Sequence, residues 1–216
     1  MSLRNSEKIW VLALFLGITG VLAALILGIT SRLTAEPIRQ AQLRNELKML
    51  KELDLPDFDN DMTADVFAVN GVEYMAASLN GKIVGFAART QNNAGYSGVL
   101  KSLVSFDVNG NILAVQVVEH KETPGLGATV CERKFQKTIF NMFQAPPQGL
   151  PPNAILDQYR GKNAADSGNW KISKDGGNFA FRTGATVTSR AVTAMVNSAA
   201  THFDKAKAYF AKGAGK

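Results

Sequence analysis

The 216 residues, 46% of them hydrophobic, give room for one compact domain with its own core plus an accessory segment, and the net charge of +6 comes from scattered Lys and Arg. No basic stripe interleaved with aromatics appears, which argues against nucleic acid as a partner. The single cysteine, Cys131, excludes an internal disulfide and a cysteine-based zinc or iron–sulfur centre held by this chain alone; with only His120 and His202 besides, no protein-only metal site is expected, and any redox chemistry would rest on a bound organic cofactor.

A membrane-type segment comes first. Residues 9–30 read IWVLALFLGITGVLAALILGIT, an uncharged apolar run of the length, about 20 residues, that crosses a bilayer core of about 30 Å. Trp10 sits at one end as an interfacial ring, Arg4 and Lys8 precede the run, and Arg32 follows it. A cleaved signal peptide has an apolar core of only about 7–15 residues. A tail over residues 1–8 and a retained transmembrane helix over 9–31 are therefore expected. Arg39, Arg44 and Lys48 offset the positive residues ahead of the span, so charge alone gives no topology. The small residues Gly17, Gly20, Ala23 and Ala24 suggest one close helix–helix contact in the bilayer.

Residues 32–63 read as a helical stalk and a linker. Pro37 suits the first turn of a helix over 34–53, with Ile38, Ala41, Leu47 and Leu50 near one face, and DLPDFDNDMT (54–63) is polar and turn-rich. The extramembrane domain is expected over 64–216, in the α+β class, with an antiparallel sheet and packed helices. Hairpin signals stand at Asn70-Gly71 and Asn80-Gly81, and a stronger one at Asn109-Gly110 joins VLKSLVSFDV to NILAVQVVEH. The pattern breaks at ETPGLG (122–127). A helix is expected over 129–143, a loop over APPQGLPPN (145–153), and a last helix over 189–211 with Val192, Met195, Val196, Ala199 and Phe203 as its apolar stripe.

The stretch that bears most on chemistry is TGATVTS (183–189), between the Gly-rich turn at 175–177 and the last helix. Small hydroxylated residues at a helix start stand beside unpaired backbone N–H groups and the positive end of the helix dipole, which together favour a phosphate. The same residues serve equally as an ordinary cap, with Thr186, Thr188 or Ser189 contributing about 1 kcal/mol.

Three blocks together resemble the G subunit of the Rnf electron-transport complex, a relative of the C subunit of the sodium-translocating NADH:quinone reductase. They are GYSGVLKSLVSFDVNGNILAVQVVEHKETPGLG (95–127), NWKISKDGG (169–177) and TGATVTSRAV (183–192), and with the N-terminal anchor the likeness covers nearly the whole chain. The resemblance implies an extramembrane FMN-binding domain whose FMN phosphate is esterified, by a flavin transferase, to the last threonine of the S/T-G-A-T motif, here Thr186. It implies an electron-transfer subunit of an ion-translocating ferredoxin:NAD oxidoreductase, held in the inner membrane by one span. The FMN domain is then periplasmic, and other subunits bind NAD and iron–sulfur clusters. The expected partners are those subunits, the transferase and membrane lipid. One departure stands out: the family commonly has an acidic residue three positions before the motif, where this chain has Ala180, and Asp175 lies too far upstream to be assumed a substitute.

Around Thr186, the residues expected to hold the cofactor are Thr183, Gly184, Ala185, Val187 and Thr188, and the loop Glu122, Thr123, Pro124, Gly125, Leu126 and Gly127. The glycines and proline of that loop allow a backbone to approach a planar ring, and also suit a plain β-to-α turn. Lys174 faces the phosphate or pyrimidine edge in this reading, or else is solvated surface. Tyr96 and Ser97 border the pocket, Tyr96 reading equally as a core edge residue. Trp170 reads as a flavin neighbour or as core packing. His120 is read as structural, His202 as a partly buried surface residue and Cys131 as a small buried side chain. No catalytic residue and no metal ligand is expected. Two other readings remain at this stage: the corresponding quinone-reductase subunit, although the region before the flavin motif is shorter than expected there, and a flavin-free anchored scaffold, for which Ala180 is the hint. A hydrolase lacks its nucleophile–base–acid set.

Overall fold

The structure, a computed structural model, describes residues 3–135 and 149–213, and separates into two units, 1–47 and 48–216. The first helix, α1 (Leu3–Glu52), runs unbroken for 50 residues with Pro37 inside it. The stalk helix expected over 34–53, with Pro37 in its first turn, is thus a continuation of the span. Proline removes one intrahelical bond, but the Ala, Leu, Gln, Arg, Glu and Lys around it are good helix formers, and an Arg39–Glu36 ion pair of 2.9 Å supports that turn. Within Ile9–Arg39 an 18-residue stretch reaches a mean hydropathy of 2.6, and none of that stretch is buried. Large apolar side chains are exposed on every side, among them Trp10, Phe15, Leu16, Leu22 and Ile26, an arrangement stable only in an apolar solvent. Thr19, Thr30 and Thr34 each donate their hydroxyl to a carbonyl one turn back, which keeps those groups satisfied away from water. The side chains of Arg4, Lys8 and Arg44 lie outside the described residues.

The second unit is built on a five-stranded antiparallel meander, β1 (Val66–Val69), β2 (Val72–Leu79), β3 (Lys82–Gly95), β4 (Gly98–Asp107) and β5 (Ile112–Glu119), in sequential order. Asn70-Gly71 and Asn80-Gly81 take the positive φ values of tight hairpin turns, 48° and 78°, then 52° and 77°. Strand alternation splits the side chains between two cores. Tyr74, Phe86, Leu100, Val104, Phe106 and Val115 fill one, together with Val192, Met195, Val196 and Ala199 of α4 (Thr186–Thr201) and Phe203 and Phe210 of α5 (Phe203–Gly213). Met75, Ala77, Ala87, Leu103 and Ala114 fill the other, against Leu50, Leu53 and Met62.

That second core corrects the reading of 54–63 as a linker. The segment is bound to the sheet: Asn60 both accepts from Ser78 N and donates to Ala76 O, and just ahead of it Ser105 donates its hydroxyl to Leu53 O at 2.6 Å. Small residues let it lie close, and a Cβ on Gly85 would stand 2.9 Å from a Leu55 methyl.

After β5, helix α2 spans only Gly127–Cys131 rather than 129–143, because Glu132 turns to extended geometry. Asn153, the N-cap of α3 (Ala154–Asp157), binds the carbonyls of Thr129, Val130 and Glu132. Arg133 reaches Val115 O, Pro151 O and Asp157. Residues 136–148, with the rest of the expected helix and the start of the proline-rich loop, lie outside the described residues. The last helix is divided at His202, where Phe203 wedges against Phe86 and Phe106 at ring distances of 5.3 and 4.9 Å.

Candidate functional site

Three separate stretches converge on one buried carboxylate. Glu122 is 5% exposed; its Oε2 accepts the Thr188 hydroxyl at 2.9 Å, and its Oε1 accepts the Ser97 N–H at 3.2 Å. It therefore ties the ETPGLG loop to the first turn of α4 and to the tip of the β3–β4 hairpin. Two glycines make room for it. A Cβ on Gly127 would lie 2.3 Å from Glu122 Oε2, and one on Gly95 would lie 2.9 Å from Oε1 and 2.3 Å from Gly98 O. The loop itself is a tight turn, with Thr123 O accepting from Leu126 N and Ala128 N, and Gly125 at φ 79°. A methyl of Leu126 stands 3.3 Å from where a Cβ on Gly184 would be, and Gly184 adopts φ 83°. ETPGLG thus lies over TGAT.

The hydroxyls at the start of α4 differ in their commitments. Thr188 and Ser189 are each 1% exposed; Thr188 donates to Glu122, while Ser189 donates to Ala185 O and accepts from Arg182 N. Thr183 is exposed on the loop. Thr186, the first residue of α4, is half-buried, and its hydroxyl bonds to no other described residue. The cap position belongs to Ala185, whose side chain caps nothing, so none of these hydroxyls acts as the cap. The first intrahelical bond is Ser189 N to Ala185 O, at 2.9 Å. The N–H groups of Thr186, Val187 and Thr188 precede it and aim out of the helix at its positive end.

Over this floor of Glu122, Gly127, Ala185 and Thr188 lies an exposed rim. It carries Tyr96 (74% exposed), Leu126 (49%) and Val187 (42%), with Ser97, Thr123, Pro124, Gly125, Thr183 and Gly184 between them. Tyr96 is therefore not a core edge residue; it stands out from a two-residue turn in which Gly95 pairs with Gly98.

The remaining residues sort differently. Lys174 is exposed on a short 3₁₀ turn, Ser173–Asp175, and makes no hydrogen bond or ion pair with Thr186 or its neighbours. That turn is fastened to α4 by Asp175, which receives Arg190 Nε and Nη2 at 2.6 and 2.7 Å. The bond from Arg190, then the nearby charges of Arg190, Lys174 and Lys171, hold the Asp175 carboxyl below its usual range. Gly177 passes so close to Lys171 that no Cβ fits, and the KDGG block reads as architecture. Trp170 joins Tyr159 and Phe179 in an aromatic cluster and donates Nε1–H to Asp166 O. His120 accepts from Glu122 N and stands 3.7 Å from Glu132, a structural position. Cys131 is fully buried; burial, with Glu122 and Glu132 nearby, pushes its thiol up to about 12.

Likeness to known proteins decides the family. The G subunit of the ion-translocating oxidoreductase complex from Yersinia pestis is 32% identical over 201 residues, covering 88% of this chain and 85% of its own length. The chain belongs to this G-subunit family. Members from Shewanella baltica (strain OS223) and Cereibacter sphaeroides are 31% and 29% identical, over 92% and 90% of this chain and 89% and 84% of their own lengths. The FMN-binding domain family matches residues 95–201. In this member of the G-subunit family that range opens at the tip of the β3–β4 hairpin and closes at the end of α4, so it encloses the three stretches joined by Glu122. The α+β domain behind one apolar N-terminal helix agrees with the expected fold, and the chain is a single-pass membrane protein. Sequence reasoning missed Ser189 as the organiser of the TGAT loop, and it missed Glu122 as a link between loops. The hydrophilic letter inside a Gly-Pro turn was the only signal for the latter.

Proposed function

We propose that this chain is the electron-carrying subunit of a membrane-bound ion-translocating oxidoreductase complex of the Rnf type, with FMN joined through its phosphate to Thr186. The observation that carries the reading is the state of that side chain: it is half-buried, its hydroxyl has no hydrogen-bond partner among the described residues, and it stands beside three N–H groups that precede the first intrahelical bond, while its buried neighbours Thr188 and Ser189 are spoken for. The residues fit the group. Phosphate oxygens would be received by the N–H groups of Thr186, Val187 and Thr188, and the helix dipole offsets their charge. Leu126, Val187 and Tyr96 offer apolar surface to a ring, and the left-handed turns at Gly125 and Gly184 keep side chains out of its way. FMN, once bound, supplies reversible one- and two-electron transfer; this chain contributes attachment, orientation and a partly dry surface. In the attachment step the Thr186 hydroxyl gives up its proton to the transferase, and its oxygen forms the bond to phosphorus. The phosphoanhydride bond of an activated flavin dinucleotide breaks, and the nucleotide phosphate leaves.

The other subunits of such a complex, the flavin transferase and lipid around α1 are the partners of this reading, and the domain stands on the periplasmic face of the inner membrane. Relatives named as complex subunits support the partner subunits, the FMN-binding domain supports the cofactor, and the apolar helix supports the membrane setting. The test is in-gel fluorescence after denaturation, with mass spectrometry of the Thr186 peptide, on protein produced with its transferase. A flavin-sized addition in the wild type that disappears in Thr186→Val is the expected result. Colourless wild-type protein of unaltered mass would leave a flavin-free scaffold instead.

A further inference from the structure

We infer that Glu122 is a positioning residue for flavin attachment: through Thr188 it sets the first turn of α4 so that Thr186, and not its neighbour, is presented to the transferase. The inference rests on the reading of Thr186 as the acceptor. A carboxylate that is 5% exposed is a costly element, since removal from water penalises its charge heavily. Among the described residues no Lys, Arg or His forms an ion pair with it, so what offsets that penalty is local: the Thr188 hydroxyl, the Ser97 N–H and the positive end of α4. An apolar residue in the same space would hold the loops together without the penalty. The chain has instead left two positions without a Cβ, Gly95 and Gly127, around this group.

What the carboxylate does that an apolar side chain would not is directional. Its bond to Thr188, two residues beyond Thr186, fixes the rotation of the first helical turn and therefore where the Thr186 hydroxyl stands. The same bond occupies the Thr188 hydroxyl, which leaves one candidate acceptor on that turn. The bond to Ser97 holds the hairpin tip that carries Tyr96, so the hairpin tip and the acceptor are set by one group.

The experiment follows attachment by intact mass on the full chain, with its transferase and a flavin dinucleotide donor, for wild type, Glu122→Ala, Glu122→Gln and Thr188→Val. Amide hydrogen exchange over residues 189–192, whose N–H groups bond across the first turn of α4, is read separately on unflavinylated protein. Glutamine can accept from Ser97 N and donate to Thr188 Oγ1, so it keeps the geometry without the charge. Glu122→Ala and Thr188→Val are expected to slow attachment about tenfold or more, the factor for one lost hydrogen bond to a charged group. Both should also speed exchange over 189–192, and Glu122→Gln should restore most of the rate. Thr188→Val modified at the wild-type rate, or Glu122→Gln as slow as Glu122→Ala, overturns the inference. If Glu122→Ala fails to fold, Thr188→Val decides alone, because it removes one hydroxyl at constant shape. Wild-type protein that gains no flavin while 189–192 is protected defeats the reading of Thr186, and the inference with it.

Discussion

At Gly127 the space a methyl group would fill is already held by Glu122 Oε2 at 2.3 Å and Thr188 Oγ1 at 2.8 Å, so the residue type is dictated by a side chain five positions away. Gly127→Ala must push the carboxylate off its partners, at a cost of about 1–3 kcal/mol, the usual penalty for overpacking a closed site. Urea denaturation of the detergent-solubilised protein measures it. The distinguishing result is non-additivity: in a Glu122→Ala background most of that penalty should vanish, since the main obstacle is gone. Equal cost in both backgrounds would place the obstacle elsewhere.

Among the elements, the β4–β5 connection shows how one carboxylate organises a turn. Asp107 Oδ1 accepts from Asn109 N and Asn111 N, and Oδ2 from Asn111 Nδ2, all at 2.8 Å. Burial works against the charge. The bonds from Asn111, Asn109 and Gly110 outweigh it and hold the carboxyl below its usual range. A lowered folded pKa gives stability that is complete above the unfolded value, near pH 4, and lost as pH falls through the folded one. Asp107→Ala should therefore cost about 2 kcal/mol at neutral pH. The gap to wild type should narrow below about pH 4, as read by thermal melts across pH. A gap that does not depend on pH would mean the loss is packing alone.

This turn also marks how far the sequence could be read. Asn70-Gly71 and Asn80-Gly81 were legible because two left-handed residues leave a two-letter signature. At Asn109-Gly110 only the glycine is left-handed, and the rest of the turn depends on Asp107. The β3–β4 hairpin gave no such signature: GYSG lacks an Asn-Gly step, and polar QNNA disguised the end of a 14-residue strand. Segment 54–63 looked like a linker because DLPDFDNDMT is polar and turn-rich, and Leu55, Phe58 and Met62, which join the second core, are outnumbered there by Asp, Asn, Pro and Thr. In the site, TGAT and ETPGLG were visible as separate turns. Their junction was not, because the partners of Glu122 are 25 and 66 residues away in the chain.

For the whole molecule, the boundary between its two units falls inside one helix, with residues 1–47 on one side and Leu50 already in the core of the other. A chain of residues 48–216 keeps Leu50 and Leu53 and is expected to be recovered folded from the supernatant without detergent, whereas the full chain sediments with membranes. Ultracentrifugation and circular dichroism check both halves of the statement. A truncated chain that still sediments would point to a second membrane contact, and one that unfolds would mean the domain needs more of α1.

The lone thiol has a practical use. Sealed from solvent and kept protonated, Cys131 is inert to maleimides at neutral pH, so the native chain is a blank background for sulfhydryl chemistry. One cysteine introduced at Tyr96 becomes a unique handle. A spin label there can report how near each neighbouring subunit comes during turnover, and an impermeant reagent can report which side of the bilayer the hairpin faces.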